Sequence, residues 1–315
     1  MKNSTRAVRA AVFPLILPLL LSAGCSGFRA AVSPPFSSPS ASAAPSSTPA
    51  DPTVTMPRPS PTADPSITPT PTRPCGETQG VMEMNTVPTD LQPWAVDLRV
   101  FLPPCYDSER EPGYPLLIIL HGQIYTFDQW DRDGLDEAAY RLTAAGAVEP
   151  MILAMPNESR TERPPNEANF NEVVAGAVLP WIEARYNICA DRFCRAVGGI
   201  SRGAGWAMRI GFLRPELFGS VGAHSYPPYS RDLFALSDWV EAVPIEDLPR
   251  FYLDMGDRDR PDFVAANRDF RTEMTRLGIP FEWHWNTGGH DDAYWSAHVE
   301  EYLLWYAQAW AGLTR

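Results

Sequence analysis

The feature that most constrains this chain is Gly198-Gly199-Ile200-Ser201-Arg202-Gly203. An apolar run, Ala196 to Ile200, leads into it, and Ala204 to Leu213 carries apolar residues at helical spacing behind it. The pattern predicts a buried parallel strand that passes sharply into a helix. The intervening serine then sits on a strained turn, where a Cβ at Gly199 or Gly203 would crowd the neighbouring chain. Such a turn exposes the hydroxyl as a nucleophile, and the start of the helix directs backbone N–H groups towards it.

The first quarter of the 315 residues differs in kind from the rest. Lys2, Arg6 and Arg9 precede an apolar stretch, Ala10 to Leu21, that is short for a membrane span and interrupted by Pro14 and Pro18. This reads as an export signal. It ends in Leu21-Ser22-Ala23-Gly24-Cys25, which resembles the bacterial lipoprotein signal, with the leucine one place further upstream. The expected division is a signal over 1–24, a linker anchored by lipid on Cys25 over 25–74, and a folded domain over 75–315. From Ser33 to Pro74 the chain is mostly Pro, Ser, Thr and Ala, a composition with nothing to bury that stays extended as a tether. The expected location is therefore outside the cytoplasm, at the cell surface or in the periplasm, with membrane contact only through the lipid.

The formal net charge of -12 argues against nucleic acid and anionic lipid surfaces as partners. Beyond Cys25 the chain has Cys75, Cys105, Cys189 and Cys194, an even number in an exported domain, which favours disulfides over metal ligation. Cys75 and Cys105 are equidistant from a turn near Asp90 and are expected to pair across a hairpin. Cys189 and Cys194 are expected to close a short loop. The spacing is not that of a zinc site.

Within the domain, Val81 to Val87 and Ala95 to Leu102 read as the hairpin strands. Pro115 to Leu120 is continuously apolar, as a central strand covered on both faces should be. Helices are expected at Leu135 to Ala145, Phe170 to Tyr186, Asp262 to Leu277 and Asp292 to Ala311. Further strands are expected at Met151 to Pro156, Gly219 to Ala223, Arg250 to Met255 and Phe281 to Trp285. Alternating β and α elements imply a mostly parallel sheet with helices on both faces and ligands beyond the carboxyl ends of the strands. Tyr226 to Val243 has no place in that sheet and is expected to contribute to a substrate wall. Trp130, Trp206, Trp283, Trp285 and Trp295 sit at helical or strand spacing and read as core, whereas Trp239 alone lies in the irregular stretch.

A serine hydroxyl needs a base within hydrogen-bond reach and an acid behind the base. Of the five histidines, His121 ends a strand, His224 precedes every candidate acid, His284 is mid-strand and His298 lies inside the last helix. His290, in the loop Asn286-Thr287-Gly288-Gly289-His290, is the candidate base. Asp259 is the candidate acid, Asp257 the runner-up, and Asp254 is still in its strand. The order Ser201, Asp259, His290 is that of the α/β-hydrolases. In that fold the loop after Leu120 supplies one oxyanion donor, here the Gln123 N–H with Gly122 allowing close approach, and Arg202 N–H supplies the second.

Together, Asp191-Arg192, Arg195-Ala196, Gly199-Ile200-Ser201-Arg202-Gly203, Pro215-Glu216-Leu217-Phe218 and Gly288-Gly289-His290 with Tyr294-Trp295 resemble the esterase family related to esterase D. Feruloyl and acetylxylan esterases, enterochelin esterases, S-formylglutathione hydrolases and mycolyltransferases belong to it. The similarity spans about Gly80 to Tyr306, including Val100-Phe101-Leu102-Pro103-Pro104 and Leu120-His121-Gly122. It implies an α/β-hydrolase fold and a serine esterase acting through an acyl-enzyme on a small-molecule or polysaccharide ester, with no metal or organic cofactor. The alternatives are an acyltransferase, in which an alcohol replaces water, and a surface binding module that has lost catalysis. Two residues depart from the family pattern. Arg202 stands where a small or apolar residue is usual and is expected to add a charge near the site, and Cys105 stands where glycine is common.

Overall fold

The computed structural model describes residues 77 and 79–312 apart from 160, all within Pro69–Arg315, the second of two units into which the chain divides. Cys25, Cys75 and the expected 75–105 bridge lie outside the described residues. Eight strands form one sheet: β1 (Val81–Val87), β2 (Val96–Leu102), β3 (Leu116–Leu120), β4 (Ile152–Pro156), β5 (Arg195–Ile200), β6 (Ser220–His224), β7 (Arg250–Gly256) and β8 (Glu282–Asn286). Their order is β1-β2-β4-β3-β5-β6-β7-β8. The hairpin β1–β2 is antiparallel and joins β4 antiparallel, while β3 to β8 run parallel. The hairpin's register pairs Val81 with Leu102 and Val87 with Val96, so it pivots between Leu91 and Gln92, close to the expected turn near Asp90.

The central strands are apolar throughout because both faces are covered. On β3, Leu116, Ile118 and Leu120 face one hydrophobic core and Leu117 and Ile119 the other, the period of two that a pleated strand imposes. The first core is closed by α3 (Phe170–Val173), α4 (Leu179–Glu183), α5 (Arg202–Leu213), α6 (Asp232–Glu241) and α7 (Pro261–Arg276). The second is closed by α1 (Gln129–Arg132), α2 (Leu135–Ala144) and α8 (Asp292–Gln308). The result is the α/β-hydrolase fold.

The helix expected over Phe170 to Tyr186 is interrupted by a π-helical turn, Val174–Val178. Pro180 has no N–H to donate, and its ring would strike the carbonyl of Gly176, four residues back, so the ladder widens there. Tyr226 to Val243 is the other correction. It holds α6, and Trp239 stacks on Phe212 with ring centroids 5.9 Å apart, so this segment packs on the core and is not a substrate wall. Trp130, Trp206 and Trp295 are buried, whereas Trp285 on the edge strand β8 is half exposed. The Cys189–Cys194 disulfide is present.

Candidate active site

Strand order reverses at β3: the chain goes from β3 outward to β4, then returns to place β5 on the other side of β3. In open α/β sheets such a switch point opens a crevice at the carboxyl ends of the strands. Gly122 and Ser201 lie there. Ser201 joins β5 to α5 with φ 53° and ψ −111°, a positive φ that a non-glycine residue holds only under constraint from its surroundings. Its N–H donates to His224 O (2.8 Å), pinning the turn to β6. A Cβ on Gly199 would lie 2.5 Å from the Gly203 carbonyl carbon, and one on Gly203 would lie 2.4 Å from Leu120 O, so the two glycines let strand and helix meet.

The loops after β7 and β8 are joined by Asp257 N–H to Asn286 O and Arg258 N–H to Gly288 O, both 2.8 Å. Asp259 then turns back, its N–H donating to Gly256 O (3.1 Å). Its buried carboxylate accepts the His290 Nδ1–H at Oδ2 (2.9 Å) and the Arg260 N–H at Oδ1 (2.6 Å). Because the carboxylate can only accept, His290 Nε2 is left to accept the Ser201 hydroxyl at 2.9 Å. Phe263 and Trp295 meet the imidazole edge-on, at 5.1 and 5.2 Å, and hold its plane. Asp257 braces the loop that carries His290, its carboxylate accepting the Gly288 N–H (3.0 Å).

The other histidines are occupied elsewhere. His224 is fully buried between Asp254 Oδ1 (2.8 Å) and the Tyr306 hydroxyl (3.0 Å), and Asp254 also accepts from Tyr294 and Tyr302. This second Asp–His pair lies beneath the elbow and out of reach of solvent. His284 stacks on Tyr252, and His298 donates to Tyr294 O. His121 donates from Nδ1 to Gly122 O (2.8 Å) and accepts the Glu158 N–H at Nε2 (2.9 Å). Burial pushes its pKa down, which keeps the ring neutral in that arrangement.

Gly122 N–H is committed to Gln129 Oε1 (2.8 Å); Gln123, next in the same loop, lines the cavity beside Ser201, and Arg202 opens α5 directly behind the serine. The Arg202 side chain departs from expectation. It is buried and turned away from the pocket, with Nε and Nη2 donating to Glu158 Oε2 (2.7 Å) and Oε1 (2.5 Å), so its charge is neutralised inside the protein. A cavity of about 190 Å³ opens over Ser201 and His290, lined also by Gly122, Gln123, Ile124, Tyr125, Arg260, Phe263 and Trp295. Tyr125 and Phe263 were not visible as wall residues in the sequence, because neither belongs to a motif; a weak signal was their position just past a strand end and at a helix start.

The molecule has the α/β-hydrolase fold, with Ser201, His290 and Asp259 hydrogen-bonded in line at its switch point. The chain belongs to the Esterase family, whose model matches residues 91–306. Esterase Rv1288 of Mycobacterium tuberculosis (strain H37Rv) is 27% identical over 248 residues, covering 62% of this chain and 53% of that protein. The chain therefore spans about half the length of the curated relatives it matches. Among solved structures, a ferulic acid esterase is similar at 25% identity and TM-score 0.64, over 73% of this chain and 99% of that one. The S-formylglutathione hydrolase FrmB of Staphylococcus aureus shares the fold at 16% identity and TM-score 0.61, over 74% and 98%. The enterobactin esterase FES of Shigella flexneri does so at 20% and 0.61, over 72% and 59%.

Proposed function

We propose that this protein is an exported, lipid-anchored serine carboxylic-ester hydrolase that works through an acyl-enzyme. The observation that carries the reading is the continuous relay from Asp259 through His290 to the Ser201 hydroxyl, 2.9 Å at each step, on a positive-φ elbow. Ser201 Oγ attacks the ester carbonyl as His290 Nε2 takes its proton, and Asp259 stabilises the imidazolium. The carbonyl oxygen becomes an oxyanion held by the Gln123 and Arg202 N–H groups. The tetrahedral adduct collapses, His290 returns the proton to the leaving alkoxide, and an acyl group remains on Ser201. Water, deprotonated by His290, then releases the acid and restores the hydroxyl.

The cavity of about 190 Å³ is smaller than the ~300–1,000 Å³ of most drug-sized sites, and its walls are Tyr125, Phe263 and Trp295 with Ile124 at the rim. Such a space suits a short acyl group or a single aromatic ring better than a long chain. Ferulic acid and enterobactin, present in two of the structural neighbours, both carry an aromatic ring of about that size. The export and anchoring rest on the basic n-region, the apolar stretch and Cys25.

The test is hydrolysis of p-nitrophenyl acetate, butyrate and octanoate, methyl ferulate and acetylated xylan by wild type and Ser201→Ala. Acetate and ferulate are expected to turn over and octanoate poorly, and Ser201→Ala is expected to lose about 10⁴-fold or more in kcat. A serine-free variant that keeps the wild-type rate would remove the reading.

A further inference from the structure

The two amides proposed to hold the oxyanion come from different segments, the loop after β3 and the start of α5, and their spacing must be held to a fraction of an ångström for the transition state to be stabilised. Glu158, two residues beyond the end of β4, is the residue both segments reach. Its carboxylate receives the Arg202 guanidinium in a two-pronged pair, at 2.7 and 2.5 Å, and also the Trp206 Nε1–H at 2.8 Å, which fixes the first turn of α5. Its backbone N–H donates to His121 Nε2, and His121 Nδ1–H donates in turn to Gly122 O, which fixes the peptide that carries the Gln123 N–H. Arg202 Nη2 donates further to Arg163 O (3.0 Å), and the Tyr229 hydroxyl donates to Arg202 O, so the arginine is held at both ends. The ion pair at its centre is buried: Glu158 is 8% exposed and Arg202 4%.

We infer that Glu158 is a positioning residue that sets the separation of the two oxyanion donors, with Arg202 serving as the arm through which it holds the elbow. This rests on the esterase reading. It also gives the arginine after the nucleophile a role that no substrate contact supplies, since its charge never reaches the cavity.

The chemistry predicts a defect in the transition state and not in substrate binding. In Glu158→Gln the carboxamide cannot receive both prongs, and kcat on p-nitrophenyl acetate is expected to fall by about ten- to a hundredfold, short of the ~10²–10³ lost when a donor is removed outright. KM should change by less than about threefold, while the inhibition constant of phenylboronic acid, whose tetrahedral adduct places an oxygen between the same amides, should rise in step with the loss in kcat. Because a single change strands a buried charge and can unfold the chain, the second variant removes both: Glu158→Leu with Arg202→Met. Replacing a buried ion pair with apolar side chains of similar size is often neutral or stabilising, and the main cost is the Trp206 Nε1–H left without its acceptor. Tm is therefore expected to fall by only a few degrees, while kcat and boronate affinity, read well below Tm, still drop about tenfold or more.

Retention of wild-type kcat and boronate affinity by the double variant would overturn the inference. So would a loss of kcat that follows a fall in Tm and recovers on cooling, because the pair would then be structural alone. Wild type and Ser201→Ala run alongside separate the two levels: a wild type with no Ser201-dependent hydrolysis overturns the esterase reading itself, whereas an active wild type matched by the double variant removes only the role of Glu158.

Discussion

Two aspartates two residues apart follow β7, and their backbone hydrogen bonds separate them. Asp257 turns towards the Gly288 N–H and Asp259 towards His290 Nδ1. Asp259→Asn therefore should cost about 10⁴-fold in kcat, because an amide can present its N–H to the ring and invert the tautomer. Asp257→Asn keeps an oxygen for Gly288 and should stay within about tenfold of wild type. Steady-state kinetics on one activated ester distinguishes the two, and equal losses would mean that the loop and not the carboxylate sets the base. From sequence both aspartates were admissible, since each lies just past the strand. What separated them was the pairing of their loop with residues 286–288, a contact between segments about thirty residues apart.

At the scale of elements, the elbow is a three-way junction of β5, α5 and the end of β3. A methyl on Gly203 would sit 2.4 Å from Leu120 O and 2.7 Å from His121 O, both backbone atoms that cannot move without carrying the Gly122–Gln123 loop with them. Gly203→Ala is accordingly expected to lose about 1–3 kcal/mol of unfolding free energy, measured by urea denaturation, together with most of the activity. Normal stability and kcat in that variant would show that the helix relaxes without disturbing the loop. The elbow was legible in sequence because its steric demands are local. The π turn at Val174–Val178 was less so, since the helical period continues across it and only Pro180, with Gly176 four residues earlier, marks where the ladder widens. α6 was missed for a similar reason: its apolar residues read as irregular until Leu236 and Trp239 meet α5 and α7.

At the scale of the whole molecule, the helical layer made by α1, α2 and α8 on one face of the sheet carries an unusual carboxylate where α1 ends against α8. Asp133 accepts from the Ser296 hydroxyl (3.3 Å), while its Oδ2 is buried with no hydrogen-bond partner among the described residues. Burial first, and the neighbouring charge of Asp292 second, push its pKa up to about 6. A raised folded-state pKa means that stability is fully present below the ordinary carboxylate range and is lost as pH rises through about 6. Asp133→Asn should therefore raise Tm at pH 8 and have little effect at pH 4, with each kcal/mol recovered worth about 2–4 °C in a domain of this size. Calorimetry at the two pH values checks it, and equal shifts at both would assign the effect to packing instead.

The order of residues along the chain was enough for the alternation of strands and helices, the hairpin, the elbow at Ser201 and the candidacy of Asp259 and His290, because each depends on periodicity or on a residue's place at a strand end. Folding decided which acid faces the base, that Arg202 points inward to Glu158, that Trp239 is core, and that Tyr125, Phe263 and Trp295 wall the cavity. Those outcomes turn on side-chain direction at junctions of segments remote in sequence, and direction there is set by which neighbour offers a hydrogen bond or an unfilled volume, information that exists only once the chain has folded.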